Sequence, residues 1–382
     1  MPESIRWPSI VLAYLTLLCL ALVDNTRGSV FPNLIQDLDI SSSRASMLFA
    51  IASFAALLTN VSARWWMPYI SGYSSALYSL FFLLTGALVF SRVPLWGLWS
   101  LDLCSVFIGL GMGISNIGIN LLIAQATPVH LRRRFFSGLH SIYGIGSFLA
   151  PLFLNFYLLL FANWNYFFLL LSIAPLMVFI FFLLKKKTYA INRVGKVEKM
   201  QPPCHLGLRF LVAFLFGFYV SSEIIVSSRL VAFLSDFDFI SVTQSRYALS
   251  VFFLGLLAGR LGFTFFPIKG KSETLLVISI LLSTVIYLSS LWLHPLVLSL
   301  VGLSLSYFFP VAMEWLSQLF REGLDYMIAT AMTGVSVMLV IMHLGFGLLT
   351  DYFGVQLAMA VFPVLQLLCL IFIFSISRST HQ

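Results

Sequence analysis

The chain has 382 residues, of which 60% are hydrophobic, 9% charged and 38 are Phe, with a mean hydropathy of +0.99. A water-facing surface needs roughly 25% charged residues, so this composition excludes a soluble globular protein. The net charge of +8 reads as membrane topology, not as a footprint for nucleic acid.

Apolar runs long enough to cross a roughly 30 Å hydrocarbon core recur from end to end. They fall at residues 8–32, 43–63, 70–91, 95–126, 135–160, 164–184, 209–234, 244–266, 272–293, 295–320, 326–349 and 354–377. The expected fold is an all-α polytopic membrane protein with twelve transmembrane helices in two pseudo-symmetric six-helix halves. The first run holds Asp24 and is followed by many spans, so it reads as a retained helix and not a cleaved signal peptide. Most of the 22 Lys and Arg fall on the side of the two termini, among them Arg6, Arg132, Lys185, Lys269 and Arg378. The opposite loops hold Arg44, Arg92 and Arg246. By the positive-inside rule both termini are cytoplasmic. Trp65, Trp66, Trp96, Trp99, Trp164 and Trp292 lie near span ends, as an interfacial belt would.

Span 1 contains "LVDNTRGSVFP" (Leu22–Pro32), an apolar stretch interrupted by Asp24 and Arg27. Ionisable residues in a membrane generally face a bundle interior or a wet cavity, and an i,i+3 spacing lets these two pair. Two readings stand. One is an internal ion pair that holds the bundle together; the other is a cavity-facing carboxylate whose protonation is coupled to transport. Asn25, between them, is a candidate substrate ligand.

Span 4 reads "GLGMGISNIGINLLIAQ". Asn116 and Asn120 share a face at i,i+4, and Gly109, Gly111 and Gly113 permit close helix approach. Paired amides suit a hydroxyl-rich or other polar neutral ligand, or they bond neighbouring helices together. His140 in span 5 and His343 in span 11 are read as structural hydrogen-bonding groups or as ligands and proton carriers.

The basic segment from Lys185 to Arg209 contains Pro202-Pro203 and follows span 6. It reads as a cytoplasmic linker at 185–208, separating an N-terminal half (1–184) from a C-terminal half (209–382). The halves repeat. A shift of 199 positions lays "LIQDLDI" (Leu34–Ile40) on "FLSDFDF" (Phe233–Phe239), Asp24 on Glu223 and Gly146 on Gly345. Two similar halves are how many transporters are built, with the substrate site near mid-membrane at the repeat interface. Under the shift the counterpart of Arg27 is Val226, and Arg229 lies about 240° round the helix from Glu223. Glu223 therefore has no cation in reach on its own helix, which nominates it as the proton site. Arg229 joins the substrate-binding candidates. In span 10, Glu314 stands near Arg321 and Glu322, as a gate ion pair or a solvated helix end.

The four cysteines are scattered, with neither metal-ligand spacing nor a disulfide framework. No Walker-type loop, His-Glu-x-x-His or nucleophile elbow occurs, so no enzyme, cofactor or metal is expected and any work draws on gradients.

Taken together, "DNTRGSVFPNL", "GLGMGISNIGIN", "YVSSEIIVSSRLVAFL", "FFP" (Phe308–Pro310) and "GFGLLTDYFG" (Gly345–Gly354) resemble the major facilitator superfamily. Within it, the chain is most similar to the fucose/galactose/glucose proton-symporter branch (fucose permease-like). The resemblance implies the major facilitator fold, alternating access by rocking of two six-helix domains, and proton handling by an acidic residue at Asp24. A second acidic residue of the branch falls on Asn116 here, and the motif asparagine that follows matches Asn120. The expected function is a proton-coupled symporter of a small polar solute, with sugars favoured, in the cytoplasmic (inner) membrane. Its partners would be that solute, protons and the bilayer, with no nucleic acid and a monomeric state. The rivals are a proton-antiport exporter of amphipathic compounds and a non-transporting receptor on a transporter scaffold.

Overall fold

The computed structural model describes residues 5–67, 69–128, 131–189, 206–265, 270–320 and 324–380. Every regular element among them is helical. Lipid offers backbone groups no hydrogen-bond partners, so a spanning segment must satisfy them internally, and runs this apolar close into helices. In chain order the long helices are α1 (Trp7–Leu38), α2 (Ser42–Val61), α3 (Gly72–Phe90), α4 (Leu98–Ala126), α5 (Arg132–Leu160), α6 (Trp164–Leu184), α7 (Leu206–Ser235) and α8 (Val242–Phe265). Then come α9 (Ser272–Trp292), the segmented α10 (Pro295–Leu319), α11 (Leu324–Ala358) and α12 (Val361–Thr380). Eleven stretches among the described residues are long and apolar enough to cross a membrane. The helix outside that set is α8, which is 24 residues long and carries Arg246 and Arg260.

Three helices depart from the expected spans. The first span was expected to end at residue 32, but α1 runs through Pro32 to Leu38. Roughly 20 Å of helix therefore follow Asp24 at 1.5 Å per residue. A mid-helix proline removes only one ladder bond, and the flanking turns carry the helix on. The tenth span is broken. A 3₁₀ turn at Pro295–Leu300 leads into a short helix, Val301–Leu305, and after Ser306 and Tyr307 the chain resumes as Phe308–Leu319. Pro310 has no N–H for the Ser306 carbonyl, and its ring crowds that oxygen. Finally, α11 continues to Ala358 across a kink at Gly354 (φ 80°, ψ 159°), a backbone conformation that glycine adopts without a Cβ penalty.

The chain forms two compact units, Met1–Ile40 with Met47–Glu198, and Ser41–Ser46 with Lys199–Gln382. In the first, α1 packs on α3, α4 and α5, and α3 packs on α4 and α6. Ile10, Leu12, Tyr73, Leu80 and Leu122 form part of its apolar core, and the Tyr73 hydroxyl donates to the Phe182 carbonyl at 2.8 Å. Gly109 and Gly113 of α4 face the backbone of Ala52 and Ala56 on α2 with no room for a Cβ. In the second unit, α7 packs on α8, α11 and α12, and α8 packs on α10. Gly334 meets the Ala213 carbonyl and Gly302 the Phe252 carbonyl. Such small-residue seams let membrane helices gain van der Waals contact where no hydrophobic effect drives them together.

Trp65, Trp96, Trp99 and Trp292 are exposed. Trp164, expected among them, is instead buried. Its indole N–H donates to Asp37 at 2.6 Å and its ring meets Phe90 edge-on. Asp236, the repeat counterpart of Asp37, likewise accepts a bond at its helix end, from Gln356 at 2.9 Å. A tryptophan near a span end is interfacial only when no acceptor inside the unit competes for its N–H.

Candidate functional site

In the first unit, Asp24 and Arg27 lie one turn apart on α1 and form a salt bridge. Arg27 is 2% exposed and Asp24 17%. The rest of the guanidinium is occupied too: it lies within 3.4 Å of the Leu48 carbonyl, against the Met112 sulfur, and 5.1 Å from the Phe49 ring centroid. Tyr143 of α5 donates its hydroxyl to Asp24 Oδ2 at 3.3 Å. Asn25 points at the same helix, donating to Ser147 Oγ at 2.9 Å and approaching Tyr143 at 3.4 Å. Asp24, Asn25, Arg27, Tyr143 and Ser147 thus form one polar cluster on the α1·α5 contact.

In the second unit, Glu223 of α7 has a partner that no inspection of α7 alone reveals. Arg260 of α8 reaches it, with Nη2 3.1 Å from Oε1 and 3.4 Å from Oε2. Tyr219 brings its hydroxyl to 2.7 Å from Oε2. The expectation of a Glu223 without a cation is therefore corrected. The reason is tertiary: the guanidinium comes from the neighbouring helix, 37 residues on, where no periodicity of α7 places it. Tyr219, four residues before Glu223 and so on the same face, was legible in the sequence and overlooked. Tyr143 and Arg260 had no sequence signal tying them to these carboxylates.

The remaining candidates do not gather into either cluster. Asn116 and Asn120 are exposed on α4, and the Asn120 amide donates to the Asn116 backbone carbonyl at 2.7 Å, so the two side chains do not bond each other. His140 is exposed on α5. Arg229 is fully buried on α7, its guanidinium 5.5 Å from the Phe346 ring centroid, and His343 is buried on α11. Glu314 is exposed, with the Gln318 amide 3.4 Å from its carboxylate. Arg321 lies outside the described residues, as do Glu322 and Cys204. Among the described residues, no group of three or more His, Cys, Asp and Glu comes together as a metal site would require.

Each cluster holds a carboxylate, a guanidinium and a phenol inside an apolar helical unit. The Asp24–Arg27 pair is largely buried and the Glu223–Arg260 pair partly so, its side chains 16% and 29% exposed; an ion pair taken out of water adds little net stability, because desolvation offsets its attraction. Fold and clusters together define a polytopic α-helical membrane protein with ionisable groups inside its helical units.

The particular family follows from the sequence. The chain belongs to the Major Facilitator Superfamily, whose sequence model matches residues 13–271. No curated protein sequence matches it significantly. Solved structures show the same fold at low identity. A bacterial homologue of the human lysosomal transporter Spinster, inward-facing and occupied, superposes with a TM-score of 0.75 at 14% identity, covering 98% of both chains. A D-xylose-proton symporter gives 0.73 at 12%, again covering 98% of both chains. A POT family transporter in complex with 5-aminolevulinic acid gives 0.75 at 13%, covering 97% of this chain and 96% of the other.

Proposed function

We propose that this protein is a secondary active transporter that carries a small polar organic solute, with sugars favoured, by alternating access coupled to protons. The observation that supports it is the recurrence of one device in both units. Asp24 and Glu223 occupy equivalent places 199 residues apart, and each is held by an arginine and approached by a tyrosine hydroxyl. A bundle that needed only cohesion would be served as well by apolar residues of similar volume. Proton uptake at either carboxylate, with release of its arginine, is the step that couples a gradient to solute movement. The Asn116 and Asn120 face of α4 and the Asn25 amide are the proposed solute contacts. The resident membrane is the cytoplasmic membrane, with both termini inside.

The test is direct. Purified protein is screened by thermal unfolding against monosaccharides, amino acids, nucleosides and cationic dyes, since a ligand that prefers the native state raises apparent stability. With the ligand in hand, reconstituted vesicles under an acid-outside gradient should accumulate it, and a protonophore should abolish the accumulation. Glu223→Gln should retain counterflow exchange and lose accumulation. Solute extrusion under the same gradient would point instead to antiport, and unchanged accumulation by Glu223→Gln would remove Glu223 from the coupling.

A further inference from the structure

The Tyr219 ring is fully buried and stacks flat on Phe308, centroids 4.0 Å apart and planes 10° from parallel. Its hydroxyl oxygen lies 2.7 Å from Glu223 Oε2 and also 2.9 Å from the Leu305 carbonyl oxygen. A phenol has one hydrogen to donate. While Glu223 is ionised, two acceptors therefore compete for one proton, and the charged one makes the stronger bond. Leu305 is the last residue of the Val301–Leu305 segment, where α10 breaks. Carbonyls in the final turn of a helix lack an intrahelical donor.

Protonating Glu223 changes the count. Its new O–H donates to the Tyr219 oxygen, and the Tyr219 hydrogen is free to turn to Leu305. One proton enters, and no other atom is gained or lost. Arg260 then faces a neutral acid in place of a carboxylate.

We propose that Tyr219 is a positioning residue that transmits the protonation state of Glu223 to the break in α10. The break is bonded to α7 when Glu223 is protonated and released when it is ionised. The proposal deepens the coupling role given to Glu223 and rests on it. Arg260 from α8 faces the same carboxylate, and α12 brings the buried Cys369 thiol into the unit. α11 brings buried His343 and, bonded by Arg209 at 2.7 Å, Tyr326 into the same unit. α10 itself carries Tyr307 in the break and the exposed Glu314.

The experiment reads α10 without needing a solute. Hydrogen exchange of the peptide spanning Val301–Trp315 is followed in the intact protein across the pH range in which it stays folded, corrected for the intrinsic pH dependence of exchange. In the unmodified chain, amides around the break should exchange about fivefold more slowly on the acid side, as one net hydrogen bond implies. Glu223→Gln, whose amide donates as the protonated acid does, should show the slow rate throughout. Tyr219→Phe keeps the stack on Phe308 and should abolish the pH step. A pH step surviving in Tyr219→Phe, or absent from the unmodified chain, overturns the proposal. The coupling role is judged separately from vesicle accumulation: if Glu223→Gln loses accumulation and no exchange step exists, coupling stands and the Tyr219 role falls. If Glu223→Gln accumulates normally while the step follows Tyr219, the Tyr219 role stands and the coupling falls.

Discussion

Arg27 is buried, and its charge is balanced by the Asp24 carboxylate on the previous turn. The Leu48 carbonyl and the Phe49 face take up the remainder of the guanidinium, but neither carries a countercharge. Asp24→Asn should therefore strand a buried cation and cost roughly 3–5 kcal/mol. The double change Asp24→Asn with Arg27→Gln should recover much of that loss, because it removes the charge itself. Thermal unfolding of the two purified variants checks this, and a double variant no more stable than the single one would contradict it. Asn120 makes a contrasting case. Its amide is exposed and bonds the backbone of its own helix, so Asn120→Ala should fold and express normally. If that face contacts solute, affinity in a binding assay should fall by about 5- to 10-fold, the worth of one polar contact. Unchanged affinity would take Asn120 out of the site.

At the scale of elements, the seams between helices depend on missing side chains. A Cβ at Gly302 would run into the Phe252 carbonyl on α8. That oxygen belongs to a helix backbone and cannot move aside as a flexible side chain would. Gly302→Ala should thus push α8 and α10 apart and lower stability by about 1–3 kcal/mol, in the range of overpacked cores. Gly345 offers the control, because a Cβ there meets nothing within 4 Å. Gly345→Ala should be neutral or stabilising by up to about 1 kcal/mol, since alanine outperforms glycine in a helix interior. Melting curves of the two variants side by side decide the matter, and equal losses would refute the seam argument. The broken α10 belongs to this scale too. Discontinuous helices in transporters commonly lie at functional sites, and this break sits beside Glu223 through the Tyr219 hydroxyl.

For the whole molecule, the distribution of basic residues leads to a topology prediction. An alkaline phosphatase reporter, active only outside the cytoplasm, should be inactive when fused after Gln382 or inserted in the linker near Lys196. The same reporter placed between Leu293 and Pro295 should be active. The opposite pattern would reverse the orientation. The linker itself falls mostly outside the described residues.

Several features were legible from residue order alone. The run length of apolar residues determines where helices cross, because lipid leaves the backbone no alternative partner. The Asp24–Arg27 pair was readable as well, since both residues lie within one turn of one helix and helix geometry is universal. The register of 199 positions that matches Asp24 to Glu223 needed no coordinates. What lay beyond reach involves contacts between segments far apart in the chain. Arg260 meets Glu223, Tyr143 meets Asp24, and Trp164 turns inward to Asp37. No periodicity within a helix encodes which face of a neighbour it will meet. The break in α10 lies between these cases: Pro310 announces an interrupted ladder, but only packing against α7 decides that Tyr219 approaches the Leu305 carbonyl there. Local sequence determined the helices and their internal charges, because those depend on bonds a few residues apart. Tertiary structure decided the partners, because a charge in an apolar medium is held by whichever countercharge the packing of helices brings within reach.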